Sequence, residues 1–491
     1  MKNLKYLSLP LIGVFIISCS TAPNDKGDSN VSSSSSESVY STTETSSDTS
    51  TITYSYDKYV STLNPMDEPM IHQQYYLNHI GDIYNTWRDY QGHGVTIAVI
   101  DVGFKYDHPD FYYEDGTSKV SDLSASFKTS GSSTTYEVGR NKVSSGTGSN
   151  AHGTFCAGVA AAGINGKGVI GIAPLAELML LKTDAHPLSI CEAFMYAADK
   201  GAKVITISIG SYSNYDGDLE GWKNCGQNLT TVFNDAVSYC RDKKVAVISA
   251  AGNGGLDSRH ENTEYTYPGA TTGVIGAGGL AANKSDVIWD GSSYNSSKSY
   301  EFCDVFAPAD GMYGCTDHRD DYNKYYEFDG GWNGTSFASP IVAGIAALYF
   351  EKNPNNSVED FERDLYNNAK KFAPLANTGN GRVDVGKLLG TNMTGTVTAK
   401  IKNSGDLYAY YWNSVTGVNN SWPGTYIGSD DNRTYTISMD ANKYDSVIFN
   451  TGGDSPAQSI DLLISSFSYN NVYNMDAGIH FAENIYIGEY L

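Results

Sequence analysis

The chain has 491 residues, with 55 acidic against 33 basic side chains, a formal net charge of −22 and 40% hydrophobic content. That length has room for two or three domains with large cores. So acidic a surface repels phosphate backbones and excludes nucleic acid as a partner.

The first residues read as an export signal. Lys2 and Lys5 precede an apolar run over 7–17 that is too short to span a bilayer. Ile16-Ile17-Ser18-Cys19 resembles a bacterial lipobox, in which Cys19 is lipidated after removal of residues 1–18. The alternative is an ordinary secretory signal with Cys19 incidental. On the first reading the protein is extracytoplasmic, at the bacterial cell surface, and meets the membrane only through its lipid. Residues 19–58 are dominated by Ser and Thr, cannot offset ordering entropy, and read as a disordered tether. Six cysteines remain: Cys156, Cys191, Cys225, Cys240, Cys303 and Cys315. An even number outside the cytoplasm suggests disulfides, with 15 connectivities open. Cys225 with Cys240 and Cys303 with Cys315 are the favoured near pairs. None has a zinc spacing, so no metal ligand set is assigned.

Order is expected from near Met70. Residues 95–101 form a β-branched run of the length of a buried parallel strand, ending in Asp101. Catalytic groups of open α/β sheets gather at such strand ends, although a turn-capping Asp is the plain alternative. Residues 150–161 read as a helix of small residues with His152 near its start. Further strands are predicted at 178–182, 204–210, 245–253, 273–277 and 303–308, and an amphipathic helix at 190–200. Asn253 ends one of these strands, where Asn is also a common turn residue. Gly334-Thr335-Ser336-Phe337-Ala338-Ser339-Pro340 opens a helix apolar on every face, hence buried, with Ser336 in its first turn. Free N–H groups there suit an oxyanion, or simply a capping serine. The alternation describes an α/β fold, a parallel sheet flanked by helices.

Three blocks carry a resemblance to the subtilisin-like serine proteases. They are Val99-Ile100-Asp101-Val102-Gly103 with His108-Pro109-Asp110, then His152-Gly153-Thr154, then the Ser336 block. Ser208-Ile209-Gly210, Ala250-Ala251-Gly252-Asn253 and Gly381-Arg382-Val383-Asp384 also fit, and the likeness runs from about Gln74 to Leu389, within a domain read as 70–390. It implies a subtilisin-like fold and a serine endopeptidase working through an Asp101–His152–Ser336 triad and an acyl-enzyme. It implies Asn253 as oxyanion donor and Ser208, Ile209 and Gly210 as the strand that pairs with substrate. Polypeptides are the implied substrates and no cofactor is required. Phe337 and Ile341 stand where Met and His are more usual. Cys156, one turn after His152, resembles kexin-type members, and a free thiol there would confer mercury sensitivity. The stretch before the domain is short and polar for the usual inhibitory propeptide. Asn214, Asp216 and Asp218 alternate in a loop that is either plainly solvated or a structural calcium site.

Residues 396–491 change texture, with strands at 396–402, 407–412, 434–439 and 446–450 and no helical signal, which suggests an all-β sandwich. Tyr408-Ala409-Tyr410-Tyr411-Trp412, Trp422-Pro423-Gly424 and Gln458 with Asp461 resemble starch-binding modules of carbohydrate-binding family 26. Strand alternation places Tyr408, Tyr410 and Trp412 on one face. The resemblance implies that Tyr408, Tyr410 and Trp422 stack on glucose rings and that Gln458 hydrogen-bonds hydroxyls of an α-glucan. Trp412 is assigned to the core. The whole then reads as a surface-anchored protease targeted to starch. Its rivals are an inactive subtilase acting as a starch-binding adhesin and a protease whose C-terminal domain is purely structural.

Overall fold

The computed structural model describes residues 63, 65 and 68–474, except 147–149, 215–228, 255–263, 283–285, 296–301, 318–325, 328–331, 374–377, 393–395, 414–416, 431–432, 445, 454–458, 460–461 and 465–471. Among these residues, no helix is long and apolar enough to cross a membrane.

The apolar runs become strands because each is buried on both sides. The strands are β1 (Thr96–Asp101), β2 (Ala125–Ser130), β3 (Ser133–Val138), β4 (Glu177–Lys182) and β5 (Val204–Ile207). They continue with β6 (Ser211–Asn214), β7 (Ala246–Ala250), β8 (Glu264–Tyr267), β9 (Val274–Leu280) and β10 (Val305–Pro308). Eight of them form one sheet in the order β10-β9-β7-β5-β1-β4-β2-β3. All its pairings are parallel except β2 with β3, a hairpin at one edge. β6 and β8 pair antiparallel apart from it.

The helices are α1 (Ile83–Thr86), α2 (Ala151–Ala161), α3 (Pro187–Asp199), α4 (Leu229–Asp242), α5 (Thr335–Lys352), α6 (Val358–Asn368) and α7 (Val385–Leu389). Alternate residues of β1 separate two cores. Ile97 and Val99 face α2 and α5, while Ala98 and Ile100 face α3 and α4. The apolar stretch of α5 is explained by depth, since Thr335 to Phe350 are all buried. It is tied to the sheet by Ser339, whose hydroxyl meets Thr206 Oγ1 at 2.8 Å and donates to the Ile248 carbonyl at 3.3 Å.

Residues beyond α7 form two further sheets from β13 (Thr396–Asn403), β14 (Leu407–Trp412), β15 (Thr425–Gly428), β16 (Arg433–Asp440), β17 (Ser446–Asn450), β18 (Leu462–Leu463) and β19 (Val472–Asn474), after the short pair β11 (Gly314–Cys315) and β12 (Tyr326–Glu327). Their orders are β16-β13-β19 and β15-β14-β17-β18, mostly antiparallel. Ile401 and Ile437 from one sheet share a core with Ala409, Tyr411 and Phe449 from the other. The sandwich class expected for this region is what the two sheets make.

One buried polar group gives the fold an acid limit. His79 is fully packed, its Nε2 has no hydrogen-bond partner among the described residues, and Tyr75 lies edge-on to it at 5.5 Å. Burial, with Arg382 nearby, lowers its pKa to about 3. A group whose pKa falls on folding stabilises the native state above its unfolded value of about 6.5 and loses that contribution as pH drops toward 3. We expect roughly 3 kcal/mol of stability to be lost to this group by pH 4. Thermal melts of His79→Leu should therefore change less between pH 6.5 and 4 than those of the unaltered chain.

Candidate active site

Asp101 closes β1 at the carboxyl end of the central sheet and is 0% exposed. Its Oδ1 accepts the Val102 N–H at 2.8 Å, which leaves Oδ2 aimed at His152 Nδ1, 2.8 Å away. His152 is the second residue of α2, and its side chain is 17% exposed. The helix reaches the strand end because the next residue is Gly153: a Cβ there would lie 2.4 Å from the Gly103 carbonyl oxygen and 2.9 Å from Asp101 Cβ. Burial opposes charging of the imidazole, but the Asp101 charge and hydrogen bond outweigh it, so the pKa of His152 is raised above its usual 6.5.

Ser336 is the second residue of α5, on the same rim. Its hydroxyl donates to the Ser208 carbonyl at 3.3 Å. Asn253 follows the end of β7. Its Oδ1 accepts both the N–H and the hydroxyl of Thr335, at 3.0 and 2.9 Å. That fixes which end of the amide turns to the cleft. A Cβ on Gly334 would lie 3.4 Å from Asn253 Nδ2 and 3.7 Å from Ser336 Cβ, so the amide nitrogen sits beside the serine. Ser208, Ile209 and Gly210 were expected inside a strand over 204–210, but β5 stops at Ile207. They run on as half-buried backbone outside the ladder.

The subtilase family profile matches residues 92–383, more than half the chain. The chain belongs to the subtilase family. It carries a subtilisin-family serine peptidase domain, and Asp101, His152, Asn253 and Ser336 all lie within the matched stretch. This subtilase is 32% identical over 303 residues to the thermophilic serine proteinase of Bacillus sp. (strain AK1), covering 57% of this chain and 60% of that protein. It is 29% identical over 301 residues to subtilisin DY of Bacillus licheniformis, covering 60% and 91%. Its fold is similar to that of fervidolysin from Fervidobacterium pennivorans, described as a keratinolytic enzyme related to subtilisin. That likeness has a TM-score of 0.51 and 20% identity, over 81% of this chain and 57% of the other. The subtilase thus spans 60% of the first of these relatives and 57% of the solved structure.

Sequence reasoning missed Thr335 as the group that orients Asn253, although its place beside Ser336 was the signal. It also missed what holds the Ser336 carbonyl, which accepts from Ser208 Oγ at 2.8 Å and Cys156 Sγ at 3.4 Å. Phe337 packs on Phe155 at 4.5 Å and faces His152 at 6.1 Å.

The disulfide expectation needs correction. Cys240, Cys303 and Cys315 are buried free thiols, as are Cys156 and Cys191. Cys303 Sγ donates to the Ser293 carbonyl and Cys315 Sγ to Asp110 Oδ2, each side chain being packed into a separate neighbourhood. Cys225, Cys19, Asp216, Asp218, Gln458 and Asp461 lie outside the described residues, and of Asn214 only the backbone, in β6, is described.

In the sandwich, Tyr408, Tyr410 and Trp412 do share the outer face of β14. Trp412 is therefore not a core residue. It is half-buried and stacks on Tyr410 at 5.6 Å, and the buried aromatic of this strand is Tyr411. Trp422 lies edge-on to Tyr410 at 5.5 Å and is 45% exposed, and Tyr426, 53% exposed, abuts Tyr408.

Proposed function

We propose that the protein is a surface-anchored serine endopeptidase whose nucleophile is Ser336. The observation that carries this is the 2.8 Å contact between His152 Nδ1 and a fully buried Asp101, on the rim that also holds Ser336 and Asn253. A carboxylate there keeps the proton on Nδ1, so Nε2 is the basic nitrogen. As Ser336 Oγ bonds to the scissile carbonyl carbon, its proton passes to Nε2. The Asn253 amide and the Ser336 N–H receive the oxyanion. His152 gives the proton to the leaving nitrogen as the C–N bond breaks, leaving an ester on Ser336. Water, deprotonated by the same imidazole, then bonds to the ester carbon, and the Ser336 Oγ–C bond breaks as Oγ takes the proton back, releasing the acid.

Activity requires neutral His152, so kcat/KM is expected to rise with pH through a pKa above 6.5. The same shift stabilises the fold below the unfolded value of about 6.5 and stops doing so as pH rises through the folded value. The pair thus contributes least to stability where the enzyme works best. Active-site titration with a fluorophosphonate probe tests the assignment. We expect labelling of the unaltered chain and none of Ser336→Ala; a folded chain that stays unlabelled would favour the inactive adhesin.

The outer face of β14 supports a second element of the proposal, targeting to α-glucan. Flat aromatic faces suit the C–H faces of sugars, and Tyr408, Tyr410 and Trp422 stand exposed or half-exposed together instead of filling the core. Migration of the protein should be retarded in a gel containing starch, and Trp422→Ala should weaken the retardation severalfold. Unretarded migration of the unaltered chain would leave the sandwich a structural role. Lipidation at Cys19 belongs to the same proposal, and a structural calcium ion at Asn214, Asp216 and Asp218 stays the alternative to a plainly solvated stretch; both rest on the sequence.

A further inference from the structure

We propose that the Ser208 hydroxyl positions the nucleophile, acting through the carbonyl of Ser336, and this rests on Ser336 being the nucleophile as proposed above. In an α-helix each carbonyl accepts from the N–H four residues on. For Ser336 that residue is Pro340, inside α5, which has no N–H to give. A buried carbonyl is seldom left without a donor, and Ser336 is only 9% exposed.

Two side chains from other elements replace the missing donor. Ser208, just past β5, donates from Oγ at 2.8 Å, and Cys156, on α2, donates from Sγ at 3.4 Å. A thiol is the weaker donor, so the hydroxyl carries most of the restraint. The contact is reciprocal, because the Ser336 hydroxyl rests on the Ser208 carbonyl at 3.3 Å. Ser208 therefore holds the nucleophilic residue at both its side chain and its backbone. Fixing the Ser336 carbonyl fixes its ψ angle, and with it the direction of the Cα–Cβ bond toward His152. The Ser208 hydroxyl touches no reacting atom, so it is a positioning group and not a catalytic one.

The test uses the full chain with a peptide p-nitroanilide substrate and a fluorophosphonate probe. Ser208→Ala should lower kcat about tenfold, with KM changed less than about twofold, since a misplaced nucleophile costs rate rather than ground-state binding. Labelling should slow by the same factor. Pro340→Ala supplies an N–H to the Ser336 carbonyl, so in that background Ser208→Ala should cost no more than about twofold. Ser208→Thr, which keeps the hydroxyl, should stay within about threefold of the unaltered chain. Equal losses for Ser208→Ala in both backgrounds would overturn the positioning role alone, as would a Ser208→Thr variant as slow as Ser208→Ala. If Pro340→Ala does not fold, the Thr arm decides. A chain whose turnover does not depend on Ser336, judged by Ser336→Ala, would overturn the nucleophile assignment and the positioning role with it.

Discussion

Asp101→Asn is expected to lower kcat/KM by about four orders of magnitude, the size seen when the triad aspartate of a serine protease becomes an amide. The side chain is fully buried, and the imidazole is held by Oδ2 at 2.8 Å. An amide in that place turns an N–H toward Nδ1, forcing it to accept, so the imidazole proton moves to Nε2. His152 then presents a donor to Ser336 where a base is needed. The variant is nearly isosteric, and the fold should persist. Steady-state kinetics beside a thermal melt separate the two effects: a large loss of rate at unchanged melting temperature is the expected pattern, and near-normal rate would remove Asp101 from the mechanism.

Asn253→Ala should lower kcat by a factor of about 10² to 10³ with little change in KM, because its amide acts only once charge has developed on the substrate oxygen. The geometry makes the effect specific to the nitrogen. Oδ1 is already committed to the N–H and hydroxyl of Thr335, and the Thr335 hydroxyl in turn accepts the Gly252 N–H at 3.0 Å. Asn253→Asp keeps the acceptor for Thr335 and replaces the donor with a negative charge. It should therefore be at least as slow as Asn253→Ala while melting closer to the unaltered chain. An aspartate variant that retained activity would remove Asn253 from the oxyanion site.

Both effects were foreshadowed by the chain itself, because the residues concerned sit where regular elements begin or end. Asp101 closes a β-branched run, and His152 and Ser336 open helices whose small and apolar residues mark burial. The central strands were legible for the same reason, being apolar on both faces. The edge hairpin of β2 and β3 was not, since β3 is exposed along most of its length and no core imposes a pattern on it. Helix α6 also escaped notice, although Ser357 and Asp360 form a capping box at its start. The disulfide pairs failed because closeness along the chain says little about where a thiol points. Trp412 was assigned to the core although alternation already set it beside Tyr408 and Tyr410; Tyr411 faces the shared core and its neighbours face out. Contacts that depend on a missing donor were visible only in three dimensions, even though Pro340 announced them.

The residue after Ser336 has a bearing on chemical durability. Phe337, almost fully enclosed by Phe155, Trp332 and His152, carries no sulfur that peroxide can convert to a sulfoxide. The sulfur that does approach the site, Cys156, is enclosed, and burial pushes its thiol well above the usual pKa, leaving scarcely any thiolate to oxidise. For the centre proposed here, exposure to hydrogen peroxide is therefore expected to leave the fraction of chains able to react at Ser336 unaltered.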